Sequence, residues 1–235
     1  IKAPEVSGAK SEAVGTTVSW HDAQGLTVEG QGWTDTQSDF DRLPARAKGK
    51  VRDAVWGLSR HSAGIAVRFV TDATAIHARW SLTSAQLAMP HMAATGVSGL
   101  DLYVRDANGP WRWLACAQPK QQTNTLKLVA GLPAGKRTYL LYLPLYNGVK
   151  NLEIGVPSGS TLDAAPPRAT DLQLPIVFYG TSITQGACAS RPGMPHTALL
   201  GRRFDRPVIN LGFSGNGRME PEVTELVAEL DAALF

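Results

Sequence analysis

The sequence predicts a chain of two unlike parts: an all-β sandwich of jelly-roll type, then the opening of a parallel, doubly wound α/β sheet. Three observations carry that reading. From about Val14 to Val156, apolar and polar residues alternate in short runs, the period of strands covered on one face. The stretch 157–172 (PSGSTLDAAPPRATDL) is rich in Pro, Ser, Ala and Thr, a linker composition. Beyond it, short apolar runs alternate with segments of helical spacing. The expected organisation is therefore a β-sandwich over 1–160, a linker over 161–172 and an α/β part over 173–235.

The strands come first. Ile65, Val67 and Phe69 alternate with Ala66 and Arg68, and Ile76, Ala78, Trp80 and Leu82 with His77, Arg79 and Ser81. Leu100, Leu102 and Val104 alternate with Asp101, Tyr103 and Arg105. Further strands are expected at 111–114, 125–129, 138–143 and 152–156, separated by turns such as Asn108-Gly109-Pro110. No helix is expected among them. After the linker, 175–179 (PIVFY) and 208–211 (VINL) read as strands buried on both faces. Leu199, Leu200 and Phe204 give a helix over 195–204. Val223, Leu226, Val227 and Leu230 give a second, with Pro221 in its first turn. Residues 232–235 begin another apolar run.

Composition narrows the function classes. The 235 residues are 43% hydrophobic and 18% charged, an ordinary globular balance. The net charge is only +3 and Lys and Arg are scattered among acids, so no basic stripe suits nucleic acid. Cys116 and Cys188 stand far apart, with no CxxC or Cys/His metal spacing, and read as two thiols. No metal or cofactor is expected. No apolar run approaches the ~20 residues needed to span a bilayer.

In open α/β sheets, sites lie beyond the carboxyl ends of the strands. Two turns occupy that position. Gly180-Thr181-Ser182-Ile183-Thr184-Gln185-Gly186 follows PIVFY, and its serine presents a hydroxyl above the sheet while its own N–H faces a developing oxyanion. Asn210-Leu211-Gly212-Phe213-Ser214-Gly215-Asn216-Gly217 follows VINL, where a glycine leaves its N–H unshielded. Singly, each reads as a turn serine or a glycine-rich connection. Together, after consecutive parallel strands, they make Ser182 and a glycine of the second turn the candidate catalytic groups. The first turn lacks the Gly-Lys-Ser/Thr ending of a Walker A loop.

Gly180-Thr181-Ser182-Ile183 resembles the first block of the SGNH/GDSL hydrolases, and 210–217 resembles their second block, with Gly215 at the oxyanion glycine. Gly99-Leu100-Asp101-Leu102-Tyr103 fits the Gly-x-Asp-Leu-Tyr motif of the β-rich domain that precedes the hydrolase in one branch of these acylhydrolases. The resemblance implies a flavodoxin-like hydrolase domain and ester hydrolysis through a Ser182 acyl-enzyme, with backbone donors at Ser182 and Gly215. It further implies a small-molecule or glycan ester as substrate, O-acetyl carbohydrate esters above all, and hence a periplasmic or secreted location.

The sequence departs from that pattern in two places. Thr181 stands where the family has Asp. Neither the third block (Gly-x-Asn-Asp) nor the C-terminal Asp-x-x-His occurs in these residues, and His196 reads as the start of a helix rather than the base. The expectation is a fragment of the hydrolase domain, with the catalytic histidine and the oxyanion asparagine outside it. His61 and His91 are read as structural residues of the β part. Trp33, Trp56, Trp111 and Trp113 are read as core and interface filler rather than a sugar-stacking platform. The alternative function is a non-catalytic glycan-binding module with a degenerate hydrolase segment; a phosphate-binding, flavodoxin-like protein is a third.

Overall fold

The computed structural model describes residues 17–107 and 109–235, so Val14 and Asn108 lie outside the described residues. β4 (Ala75–Leu82) shows why the first part folds as layered sheets. Ile76, Ala78, Trp80 and Leu82 are buried, whereas His77, Arg79 and Ser81 between them are partly exposed. β4 lies between β7 (Thr123–Ala130) and β9 (Val149–Pro157), with β1 (Val18–Asp22) beyond β9, in an antiparallel sheet of order β1-β9-β4-β7. On its outer face, Arg79 pairs with Glu153 directly across on β9 and lies over the Trp20 ring, 4.5 Å from its centroid.

The second sheet is six-stranded and antiparallel. It runs β10 (Leu162–Ala164), β3 (Ala66–Thr71), β8 (Arg137–Tyr142), β5 (Leu100–Arg105), β6 (Arg112–Ala117), with β2 (Thr27–Glu29) also on β3. The stretch read as a linker thus contributes β10 to this sheet. Val67, Phe69, Leu100, Leu102, Tyr139 and Leu141 meet Ile76, Ala78, Trp80, Leu82, Leu152 and Ile154 of the first sheet in one core. Truncating such a side chain costs about 2–5 kcal/mol.

The opposite face of the second sheet is buried as well. β5 carries the Gly-x-Asp-Leu-Tyr motif, and each position has a physical reason. Leu100 and Leu102 enter the core. Asp101 and Tyr103 point the other way, where Gly193 donates its N–H to Asp101 Oδ2 at 2.9 Å and Trp113 Nε1 donates to Oδ1 at 2.9 Å. Tyr103, Ala66, Leu140 and Tyr142 pack on Ala198 of α4 (His196–Phe204). At Gly99 any Cβ would stand 2.3 Å from the Thr95 carbonyl oxygen. An ion-pair chain, Arg68–Glu29–Arg168–Asp205–Arg105, runs from this sheet to the end of α4.

Two short helices appear where the sequence reading has none: α1 (Asp53–Ser59) and α2 (Ala94–Val97). α1 has a glycine, Gly57, in its interior and turns Val55 away from the sandwich, so its apolar pattern is too short to show a period. Val55 joins Trp33, Leu43, Ala47 and Val51 against Val177, Ile209, Leu211 and Phe213 of the α/β part, with Val223, Leu226 and Leu230.

In that part β11 (Ile176–Gly180) and β12 (Val208–Gly212) pair in parallel, Ile176 with Val208 through Gly180 with Gly212. α3 (Ser182–Gln185) and α4 connect them, and α5 (Pro221–Ala228) follows. Leu234 forms a parallel bridge to Ile176, the start of a third strand position. β12 is buried throughout, whereas Phe178 and Tyr179 at the end of β11 are only half-buried. No helix among the described residues is long and apolar enough to cross a membrane.

Candidate active site

The register of the parallel pair sets both turns at one level. Gly180 and Gly212 lie side by side at the carboxyl ends of their strands, so the segments after them leave the sheet together. The backbones then pack too closely for side chains. A Cβ on Gly212 would stand 2.1 Å from Gln185 N, and one on Gly217 would stand 2.2 Å from Gly180 O. Ser182 opens α3, where helix geometry leaves its N–H without an intrahelical acceptor. Gly215 has φ +67°, the left-handed region, with nothing within 4 Å of where a Cβ would be. Conformation rather than space selects glycine there.

Gln185, fully buried, joins the two turns. Its Oε1 accepts the Ser214 N–H at 2.9 Å. Its Nε2 donates to Leu145 O at 3.0 Å and lies 3.1 Å from His61 Nδ1. Asn210 supports the same joint: its Oδ1 accepts the Gly212 N–H at 2.9 Å and its Nδ2 donates to Thr184 O at 2.8 Å. Beneath them lies Arg42, 1% exposed, which donates to the carbonyls of Leu58, His61, Asn210 and Gly212. Burial pulls its guanidinium down to about 9, which leaves it a cation at neutral pH. Arg52 fixes the far end of the second turn, donating to Asn216 Oδ1 at 2.8 Å and pairing with Glu220.

Ser182 opens onto a cleft of about 780 Å³ that it shares with Ser214 and Asn216, the residues flanking Gly215. The other wall comes from the first part of the chain: Leu58 of α1, His61, Met89, His91 and Tyr146. Tyr146 donates its hydroxyl to Ser182 O at 3.3 Å, and burial raises its pKa. Burial first, then the Arg42 cation, pulls the His61 imidazole down to about 4. Both histidines read from the sequence as structural residues of the β part therefore line the cleft that holds Ser182. His61 also carries the structural bond to Gln185.

The remaining candidates fall elsewhere. His196 opens α4, edge-on to Phe178 at 5.6 Å. Trp33 and Trp56 pack in the cluster against the parallel pair, and Trp113 is 53% exposed. Arg191, a residue of the loop between α3 and α4 outside the sequence reading above, lies over Trp113, 4.9 Å from its centroid. Cys116 and Cys188 are free thiols, and burial pushes Cys116 up to about 12. Among the described residues no hydrogen bond reaches the Ser182 hydroxyl, and no cluster of three or more His, Cys, Asp or Glu is arranged to hold a metal. The sequence reading missed Arg42, Gln185, Asn210 and Tyr146. Only Gln185 and Asn210 offered a signal, as polar residues inside the two motif turns.

A β-rich part packed on a parallel strand pair, with a serine turn and a glycine-rich turn at the same strand ends, is the layout of an acylhydrolase. Residues 18–162 match the family described as the GxDLY N-terminus of SGNH-hydrolase-type esterases, and residues 173–235 match the GDSL-like lipase/acylhydrolase family. The chain belongs to the family defined by the GxDLY N-terminus of SGNH-hydrolase-type esterases. Its fold is similar to that of a candidate GDSL-like lipase from Bacteroides ovatus, at 37% identity and TM-score 0.85 over 93% of this chain and 63% of that one. It is also similar in fold to the salicylyl-acyltransferase SsfX3 of a tetracycline biosynthetic pathway (22% identity, TM-score 0.68, 92% of this chain and 60% of that one). A family two carbohydrate esterase from Cellvibrio japonicus shares it more distantly (13% identity, TM-score 0.51, 85% of this chain and 53% of that one). The chain thus spans less than two thirds of each of these structures. No curated protein matches it.

Proposed function

We propose that the protein is a serine esterase in which Ser182 attacks an ester carbonyl and the N–H groups of Ser182 and Gly215 hold the resulting oxyanion. Residues 17–160 act in this reading as a sandwich domain of jelly-roll type, 161–172 as the connection, and 173–235 as the first part of a flavodoxin-like hydrolase domain. The observation that carries the proposal is the shared level of Gly180 and Gly212, which brings a helix-opening serine and both neighbours of a left-handed glycine, Ser214 and Asn216, to one cleft. The reaction balances without a cofactor. The Ser182 proton passes to a base, the acyl group moves to Oγ as the alcohol leaves with a proton, and water then releases the acid. The base is assigned to the histidine of the family's Asp-x-x-His pattern, which these 235 residues do not contain.

The preferred substrate in this reading is an O-acetyl ester of a carbohydrate. A hydroxylated alcohol suits a cleft lined by Ser214, Asn216, Tyr146 and two histidines, all hydrogen-bonding groups. The test is a fluorophosphonate probe on the full-length protein with intact-mass detection, using Ser182→Ala as control. An adduct on the wild-type protein that is absent from the variant is the expected result. An adduct on both, or on neither, overturns the assignment of Ser182.

A further inference from the structure

We infer that His61 is a substrate-binding residue, whose Nε2–H donates to a neutral oxygen on the alcohol side of the ester; this rests on the esterase reading above. The tautomer follows from a chain of obligations that begins in the second turn. The Ser214 N–H needs an acceptor, so the Gln185 atom 2.9 Å away is Oε1. The other end of the amide is then the NH2 group, and Leu145 O, 3.0 Å from it, accepts one of its protons. Its second proton points at His61 Nδ1, 3.1 Å away. Nδ1 therefore accepts, and a neutral imidazole in that state carries its proton on Nε2. Reversing the amide would set two donors face to face at Ser214 and two acceptors face to face at Leu145.

The imidazole stays neutral because two things oppose its charge. Arg42 lies behind it, donating from Nε to His61 O at 2.8 Å, and the ring is largely buried. His61 lines the Ser182 cleft. Its Nε2 has no protein partner among the described residues and is not fully enclosed, which leaves it open to a group bound in the cleft that His61 lines. This is a fixed, uncharged donor.

It cannot serve as the base, since its one free nitrogen already holds a proton and its other nitrogen is occupied. The reacting carbonyl is met by the backbone donors of the two turns. A second oxygen, such as a hydroxyl of a polyol or sugar, is what remains for His61 to bind. A site built to hydrogen-bond a substrate hydroxyl discriminates strongly against the analogue that lacks it, because its own polar group is then left unpaired.

Two substitutions separate this role from a structural one. The amide of Gln places its Nε2 near the histidine Nε2 position, so His61→Gln keeps the donor and loses the acceptor facing Gln185. Asn places its Oδ1 near the histidine Nδ1 position, so His61→Asn keeps the bond to Gln185 and loses the donor. The full-length protein and both variants are assayed on a matched pair, glycerol 1-acetate and propyl acetate, which differ only in two hydroxyls. The ratio of the two kcat/KM values within one preparation is independent of the fraction of protein that is folded.

The expected outcome is a wild-type ratio favouring the glycerol ester by about tenfold or more. His61→Asn should bring it towards one, chiefly through KM, and His61→Gln should keep it within about threefold of wild type. A ratio unchanged in His61→Asn, or lost in His61→Gln but kept in His61→Asn, overturns the inference while a Ser182-dependent fluorophosphonate adduct leaves the esterase reading standing. Absence of that adduct on wild-type protein overturns both.

Discussion

Asp101 accepts the Gly193 N–H at 2.9 Å, so a fully buried carboxylate of the β-rich part holds the loop that leads from Ser182 to helix α4. Its other oxygen accepts from Trp113 Nε1. Arg191 Nε lies 3.4 Å from Oδ2 as well, so all three partners are donors. Asp101→Asn replaces one acceptor by an NH2 group that must face one of them. The expected loss is about 1–3 kcal/mol, read as a lower urea midpoint at unchanged slope, together with faster proteolysis between residues 186 and 195. An unaltered midpoint would mean that the loop does not depend on this contact.

Arg42 satisfies four carbonyls that no other side chain reaches among the described residues. Arg42→Met fills the space but removes the side-chain donor from all four, of which Leu58 O keeps the His61 N–H, and a loss of about 3 kcal/mol or more is expected at about 1–3 kcal/mol for each buried carbonyl left unpaired. Arg42→Lys should recover only a minor part, since one ammonium cannot span the fork. Equilibrium unfolding of the three proteins measures both differences.

Glycines of the second turn should differ in kind. Gly215→Ala meets no neighbour and is strained only by its left-handed φ, a cost of about 1–2 kcal/mol. Gly217→Ala drives a methyl group into Gly180 O and should cost about 3 kcal/mol or more. The order of their melting temperatures checks this; equal losses would contradict the packing of turn on turn.

Acid should weaken the fold through His61. Its imidazole lies at about 4 in the folded chain, below its ordinary value of 6.5. As pH falls through 6.5, the unfolded chain takes up a proton that the folded chain refuses. Stability is therefore lost between 6.5 and about 4, by up to about 3 kcal/mol, and below 4 this contribution is constant. In His61→Gln that part of the slope should be missing when unfolding free energy is plotted from pH 7 to pH 4. A parallel slope in both proteins would show that His61 titrates normally.

What the sequence disclosed was local. The alternation in β4 and the two turns with their glycines are read within a dozen residues of chain, and each stands where its pattern puts it. The rest needed distance. His61 meets Gln185 across 124 positions and Arg42 meets Gly212 across 170, and no period or motif records such pairs. α1 escaped for a related reason. Its buried residue Val55 faces Ile209 and Leu211 of the later strands rather than the strands around it in sequence, so a reading that treated 1–160 as self-contained had nothing for it to cover. The histidines of the cleft were set aside on the same premise.

The outward face of the six-stranded sheet carries Ala66, Tyr103, Leu140 and Tyr142 against α4, and Arg68 within the ion-pair chain. A β-sheet with one face for its own core and another tailored to a neighbour is no interchangeable cassette. Cut free, it would offer water a patch of tyrosine and leucine beside stranded charges. Transplanted onto a different catalytic module, it would need that whole surface recoded at once. A change on either α4 or this sheet face would need its counterpart on the other to keep the two surfaces matched.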